Sequence, residues 1–152
     1  MPGERRRILA VAVAYGKMAS VLLIDGRLKD WQCSREAGLA VSKGRSFLRL
    51  AVLRYSPDLV IIEDPHGPTR KSGIARSILF ALAQELEDSG ASHLRVQRTQ
   101  PFANKYAEAR ALADRFPVIR PWLPDTPKIW DSEPIETIYF EALSMAVAEL
   151  DG

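Results

Sequence analysis

One cysteine, Cys33, in 152 residues excludes an internal disulfide framework and fits a reducing compartment, the cytoplasm. No run of about 18 apolar residues occurs, so no segment reads as a membrane span. The apolar stretch near the N-terminus is split by Tyr15-Gly16-Lys17 and reads as two strands rather than a leader peptide. Neither charge sign dominates: 21 Lys and Arg against 19 Asp and Glu leave a formal net charge of +2, which by itself does not mark a nucleic-acid binder. Internal repeats, low-complexity tracts and linkers are also lacking, which leaves one domain over residues 1–152.

What is present is an ordinary globular composition, 47% hydrophobic and 26% charged. Ile8 to Ala14 is a short apolar run of the kind buried on both sheet faces. Lys17 to Ile24 is a second strand. Asp25-Gly26 then signals a tight hairpin, and Arg27 to Ser34 alternates Leu28, Asp30 and Gln32 against Lys29, Trp31 and Cys33. The period changes over Ala40 to Tyr55, a helix broken by Ser56-Pro57-Asp58. Leu59 to Ile62 reads as strand, Ile74 to Leu86 as helix closed by Gly90, and Leu94 to Gln97 as strand. Asn104 is the expected N-cap of a helix over Lys105 to Arg115. Val118 to Ile129, with three prolines, is expected to be irregular, and a last helix is expected from Glu133 or Pro134 to Glu149. This order predicts an α/β domain. Three strands pair antiparallel, two later strands join in parallel through helical crossovers, and Glu63 sits at a carboxyl end where ligands collect.

Several short motifs carry a resemblance. Pro57-Asp58-Leu59-Val60-Ile61-Ile62-Glu63-Asp64-Pro65 resembles the fourth strand of RuvC-type resolvases, within the RNase H-like superfamily, where the strand ends in a catalytic glutamate. Asn104-Lys105-Tyr106-Ala107-Glu108 resembles the lysine-led helix start of RuvC-like proteins, and Trp130-Asp131-Ser132-Glu133 with Tyr139 to Ala146 resembles their final helix. The resemblance implies a Mg²⁺- or Mn²⁺-dependent endonuclease acting on branched DNA as a homodimer. Glu63, Glu133 and Glu141 would be its catalytic metal ligands, and Lys105 would face phosphate or transition-state charge. Such chemistry uses two divalent ions about 3.5–4 Å apart, held by carboxylate oxygens whose mutual repulsion the metal offsets.

One position departs from that pattern. The family's first strand carries an aspartate that bridges both metals, and Ala12 stands in its place within Val11-Ala12-Val13-Ala14. Two readings follow: an endonuclease with a degenerate acidic site, or a catalytically inactive domain that binds nucleic acid or a protein partner. Arg70, Lys71 and Arg76, just past the Glu63 loop, are the expected phosphate contacts. His66 reads as a solvated loop residue, and Trp31, Trp122 and Trp130 as core or lid packing.

Overall fold

Ile8 to Val13 are all buried, which places strand β1 (Arg7–Ala14) at the centre of the sheet. The structure, a computed structural model, describes residues 6–67, 71 and 73–152. Strands β2 (Lys17–Ile24) and β3 (Arg27–Ser34) complete the opening meander, and helix α1 spans Val41–Tyr55. Strand β4 (Leu59–Glu63), helix α2 (Gly73–Ser89) and strand β5 (His93–Val96) follow. Helices α3 (Lys105–Arg115) and α4 (Thr137–Asp151) close the chain. Strand order is β3-β2-β1-β4-β5, with β1 antiparallel to β2 and parallel to β4, and β4 parallel to β5. No helix among the described residues is long and apolar enough to cross a membrane.

The sheet is covered on both faces. Leu9, Val11, Val60 and Ile62 face α1 and α2, packing on Leu48, Ile78 and Leu82. Ile8, Ala10, Ala12 and Ile61 face α3 and α4, packing on Ile138, Ala142 and Leu143. Strand parity therefore assigns each residue of β1 and β4 to one helical layer. Asp25 and Gly26 both have positive φ (52° and 78°), as a two-residue turn between twisted strands demands.

Four details differ from the sequence expectation. The alternation of β3 breaks at Lys29, because the pairing jumps from Leu22↔Asp30 to Leu23↔Leu28. That bulge switches parity, so Leu28, Trp31 and Cys33 all pack on the α3/α4 layer. Within the expected irregular connection, Pro117–Trp122 forms a 3-10 helix anchored by the fully buried Ile119. Helix α4 begins at Thr137 rather than at Glu133 or Pro134. Its approach is a tight turn in which Thr137 N and Oγ1 both donate to Pro134 O, which also accepts from Lys17 Nζ at 3.3 Å. Trp130 is not packed: it and Ile129 are 76% and 97% exposed, whereas Trp122 stacks edge-on against Trp31 at 4.9 Å.

Gly38 sets the end of the sheet that matters below. Gly16 N donates to Gly38 O at 3.1 Å, and a Cβ at position 38 would lie 2.2 Å from the backbone nitrogen of Lys17. Backbone cannot swing aside as a side chain can. Gly38→Ala is expected to cost about 2 kcal/mol in urea unfolding by forcing the β1–β2 turn away.

Candidate functional site

The parallel register pairs Val11 with Ile62, so one residue further along Ala12 stands level with Glu63. Both belong to the side that faces α4, as do Ala10 and Ile61 before them. Glu63 is only 5% exposed and Ala12 is fully buried. A carboxylate this enclosed requires a cation or several donors close by.

Lys71, which precedes α2, supplies the cation. Its Nζ lies 3.2 Å from Glu63 Oε1 and also bonds Glu141 Oε1, which α4 projects from above the sheet. Arg98 extends the array. It follows β5, whose Val96 pairs with Glu63, and its Nη1 reaches Glu141 Oε1 at 3.7 Å. Arg98 Nη2 donates to Glu108 Oε1 at 2.8 Å and to Ser144 Oγ at 3.1 Å. Arg98 Nε is buried without a hydrogen bond among the described residues. Carboxylates and cations thus alternate from the end of β4 to the start of α3.

Glu133 belongs to a separate cluster. Lys17 Nζ, from the start of β2, donates to Glu133 Oε2 at 2.6 Å and to Thr137 Oγ1 at 2.7 Å, while Lys105 bonds Glu133 Oε1. Lys105 opens α3, where a positive charge opposes the helix dipole, and Glu133 offsets that conflict. Asn104 caps this helix as expected, accepting from Tyr106 N and Ala107 N at 3.0 and 2.9 Å.

The two clusters together hold Glu63, Glu108, Glu133 and Glu141 against Lys17, Lys71, Arg98 and Lys105, a balanced set. Burial pushes the Glu108 carboxyl above its ordinary value, and Arg98 and Gln100 only partly oppose this. For Glu133 burial also pushes upward, but the hydrogen bonds and charges of Lys105 and Lys17 outweigh it and hold the carboxyl low. A lowered carboxyl stabilises the fold above its unfolded-state value, and that contribution is lost as pH falls through the folded value. Glu133→Gln is therefore expected to lower stability at pH 7, with the two stability curves converging under acid in denaturant titrations. Glu108 acts with the opposite sign, its raised value favouring the fold as pH falls.

The structure brings Glu63 and Glu141 together on one ammonium and places Glu133 with Lys17 and Lys105 instead. Lys71 points inward at the carboxylates, and Arg76 is half-buried with its guanidinium 5.8 Å from the Phe80 ring. Arg70 lies outside the described residues. His66 is exposed, its ring edge-on to Phe80 at 4.9 Å. No group of three or more His, Cys, Asp or Glu among the described residues is arranged to hold a metal ion. The residues present do not fit a two-metal centre: alanine offers no ligand at position 12, and the ammonium of Lys71 bridges the two acids nearest it.

The sequence alone gives no reason to place Lys17, Arg98, Glu108 and Ser144 in the site. Glu108 lies inside the lysine-led motif, but its partners are Arg98 and Gln100 from outside the helix rather than Lys105 one turn before it.

No protein-family model and no curated protein matches the chain. Solved structures do. Thermus thermophilus RuvC shares 12% identity at a TM-score of 0.59, covering 95% of this chain and 96% of that one. The same organism's RuvC in complex with Holliday junction substrate gives 13% and 0.60, covering 97% and 96%. Fowlpox virus resolvase, in complex with substrate Holliday junction DNA, gives 16% and 0.61, covering 95% and 98%. These likenesses show the fold: an RNase H-like domain with a mixed five-stranded sheet, arranged as in RuvC and the Holliday junction resolvases.

Proposed function

We propose that this chain binds branched DNA on an RNase H-like frame and does not cleave it. The observation that carries the second half is the Lys71 ammonium, bonded to Glu63 and Glu141 beside an alanine. Hydrolysis by this fold needs divalent ions to activate water and to stabilise the leaving oxygen. Here a side-chain cation already bonds both acids, and an ammonium has no open coordination position to offer either oxygen. The endonuclease reading would need both Lys71 displaced and a ligand at position 12.

The first half draws support from the structural neighbours, two of which are complexes with Holliday junction DNA. It also draws on the arrangement of charge. Position 44 abuts Ile78, and Arg49 pairs with Glu85, so α1 and α2 run in the same direction and begin at the same end of the sheet. Lys43 and Arg45 in the first turns of α1, and Arg76 in that of α2, lie at this end. Helix N-termini and basic side chains together suit phosphate.

The test uses labelled four-way junction, splayed duplex and linear duplex with Mg²⁺ or Mn²⁺, and Glu63→Gln as control. The expected result is junction binding that weakens steeply with salt and leaves the strands intact. Cleavage present in the unaltered chain and absent from the control would overturn the non-catalytic half. Failure to bind any probe at low salt would overturn the whole reading.

A further inference from the structure

We infer that Tyr15 and Trp130 form a stacking platform for unpaired bases, flanking the Lys17–Glu133–Lys105 cluster. The inference rests on the branched-DNA reading above and names the surface that would read the branch point. Six of the twelve aromatic rings of this chain are committed elsewhere. Phe140, Phe116, Tyr55 and Tyr139 are buried, and Trp31 and Trp122 stack on each other. Tyr15 and Trp130 are 78% and 76% exposed; exposed Leu39 lies beside position 16, next to Tyr15 in sequence, and exposed Ile129 precedes Trp130.

Both rings are presented on tethered turns. Tyr15 sits in the two-residue connection between β1 and β2, tied down where Gly16 N meets Gly38 O. Trp130 sits in a turn closed by Asp131 N to Lys128 O at 2.9 Å and by Lys128 N to Asp131 Oδ2 at 3.3 Å. The two turns are joined through Lys17. It lies two residues beyond Tyr15, and its ammonium holds Glu133 and Pro134, three and four residues beyond Trp130. The two turns therefore flank one ion cluster at the end of the sheet where α1 also begins.

Exposed apolar groups that share one edge mark a contact surface. The chemistry here selects the occupant. Lys128 Nζ lies 5.4 Å from the Trp130 ring centroid, and Lys105 is exposed on the far side of Glu133. Lysines interleaved with aromatic faces suit a strand that offers phosphates and bare base faces together. A closed duplex hides its base faces in the stack, so only unpaired or branch-point bases can use both features.

Trp130→Ala and Tyr15→Ala alter exposed side chains and leave the core untouched. Each is compared with the unaltered chain by fluorescence anisotropy on a splayed duplex with single-stranded arms, a four-way junction and a blunt linear duplex. Each variant is expected to bind the splayed duplex and junction about tenfold more weakly, and the linear duplex within about twofold. Tryptophan emission of the unaltered chain should be quenched by the splayed duplex, and the quench should vanish in Trp130→Ala. Unchanged affinities in both variants, or an equal loss on linear duplex, would overturn the platform while leaving the DNA-binding reading intact. Emission that changes with protein concentration alone would assign the surface to a second copy of the chain and overturn it too. If the unaltered chain binds none of the probes, the broader reading fails and the platform with it.

Discussion

Ala12→Asp is expected to destabilise the chain by about 3 kcal/mol or more in chelator-containing buffer. The position is fully buried between Ala10 and the α4 layer, and it stands level with Glu63, itself only 5% exposed. A new carboxylate there would lose its water and face an existing one. Lys71 already serves Glu63 and Glu141, so its ammonium would have to neutralise a third acid. Adding Lys71→Ala to the variant removes that cation from beside the three carboxylates, of which Glu141 keeps Arg98 at 3.7 Å. Mn²⁺ is then expected to stabilise the double variant by about 2.7 kcal/mol at a hundredfold excess over its dissociation constant. The unaltered chain should show almost no response. Thermal unfolding of both proteins, with and without Mn²⁺, makes the comparison. An equal response in the two would sink the idea that Lys71 holds the place of a divalent ion.

Lys71→Met is expected to cost about 3 kcal/mol in urea unfolding, because it leaves Glu63 and Glu141 without their shared ammonium in an enclosed site. Arg98, 3.7 Å from Glu141, offsets part of the loss at that carboxylate. Adding Glu141→Gln should return a large part of the loss, since it removes one of the two carboxylates that shared the ammonium. Full additivity of the two substitutions would show that Lys71 and Glu141 do not interact, against the geometry.

The frame of this molecule is written in local patterns that survive in any context. Asp25-Gly26 needs two positive φ values, and both are there; Asn104 needs two backbone donors, and it has them. The position of Glu63 could be read because a short β-branched run ends at it and parallel strands gather ligands at that end. The register then explains Ala12, since parallel pairing sets the two residues side by side. What stayed hidden depends on distance in sequence. Lys71 reads as a surface cation beside Arg70, and only the fold turns it inward onto an acid 70 residues away. Arg98 and Glu108 carry no local signal of burial, and the pairing of Lys17 with Glu133 spans 116 residues. The bulge at Lys29 is likewise invisible in a strand that alternates correctly on paper. Trp130 reads as packing because tryptophan usually is, and the turn closed between Lys128 and Asp131 instead leaves it outside.

The clasp of Lys17 on Glu133, Pro134 and Thr137 has a consequence in time. It ties the second strand to the segment entering the last helix, so the ion cluster cannot exist until nearly the whole chain is available to fold. The meander and the α1/α2 layer can form from nearer neighbours first, while contacts so distant in sequence carry the largest loop-closure cost and come late. α4 is therefore expected to be among the last elements to dock, the charged site forming only as it does so.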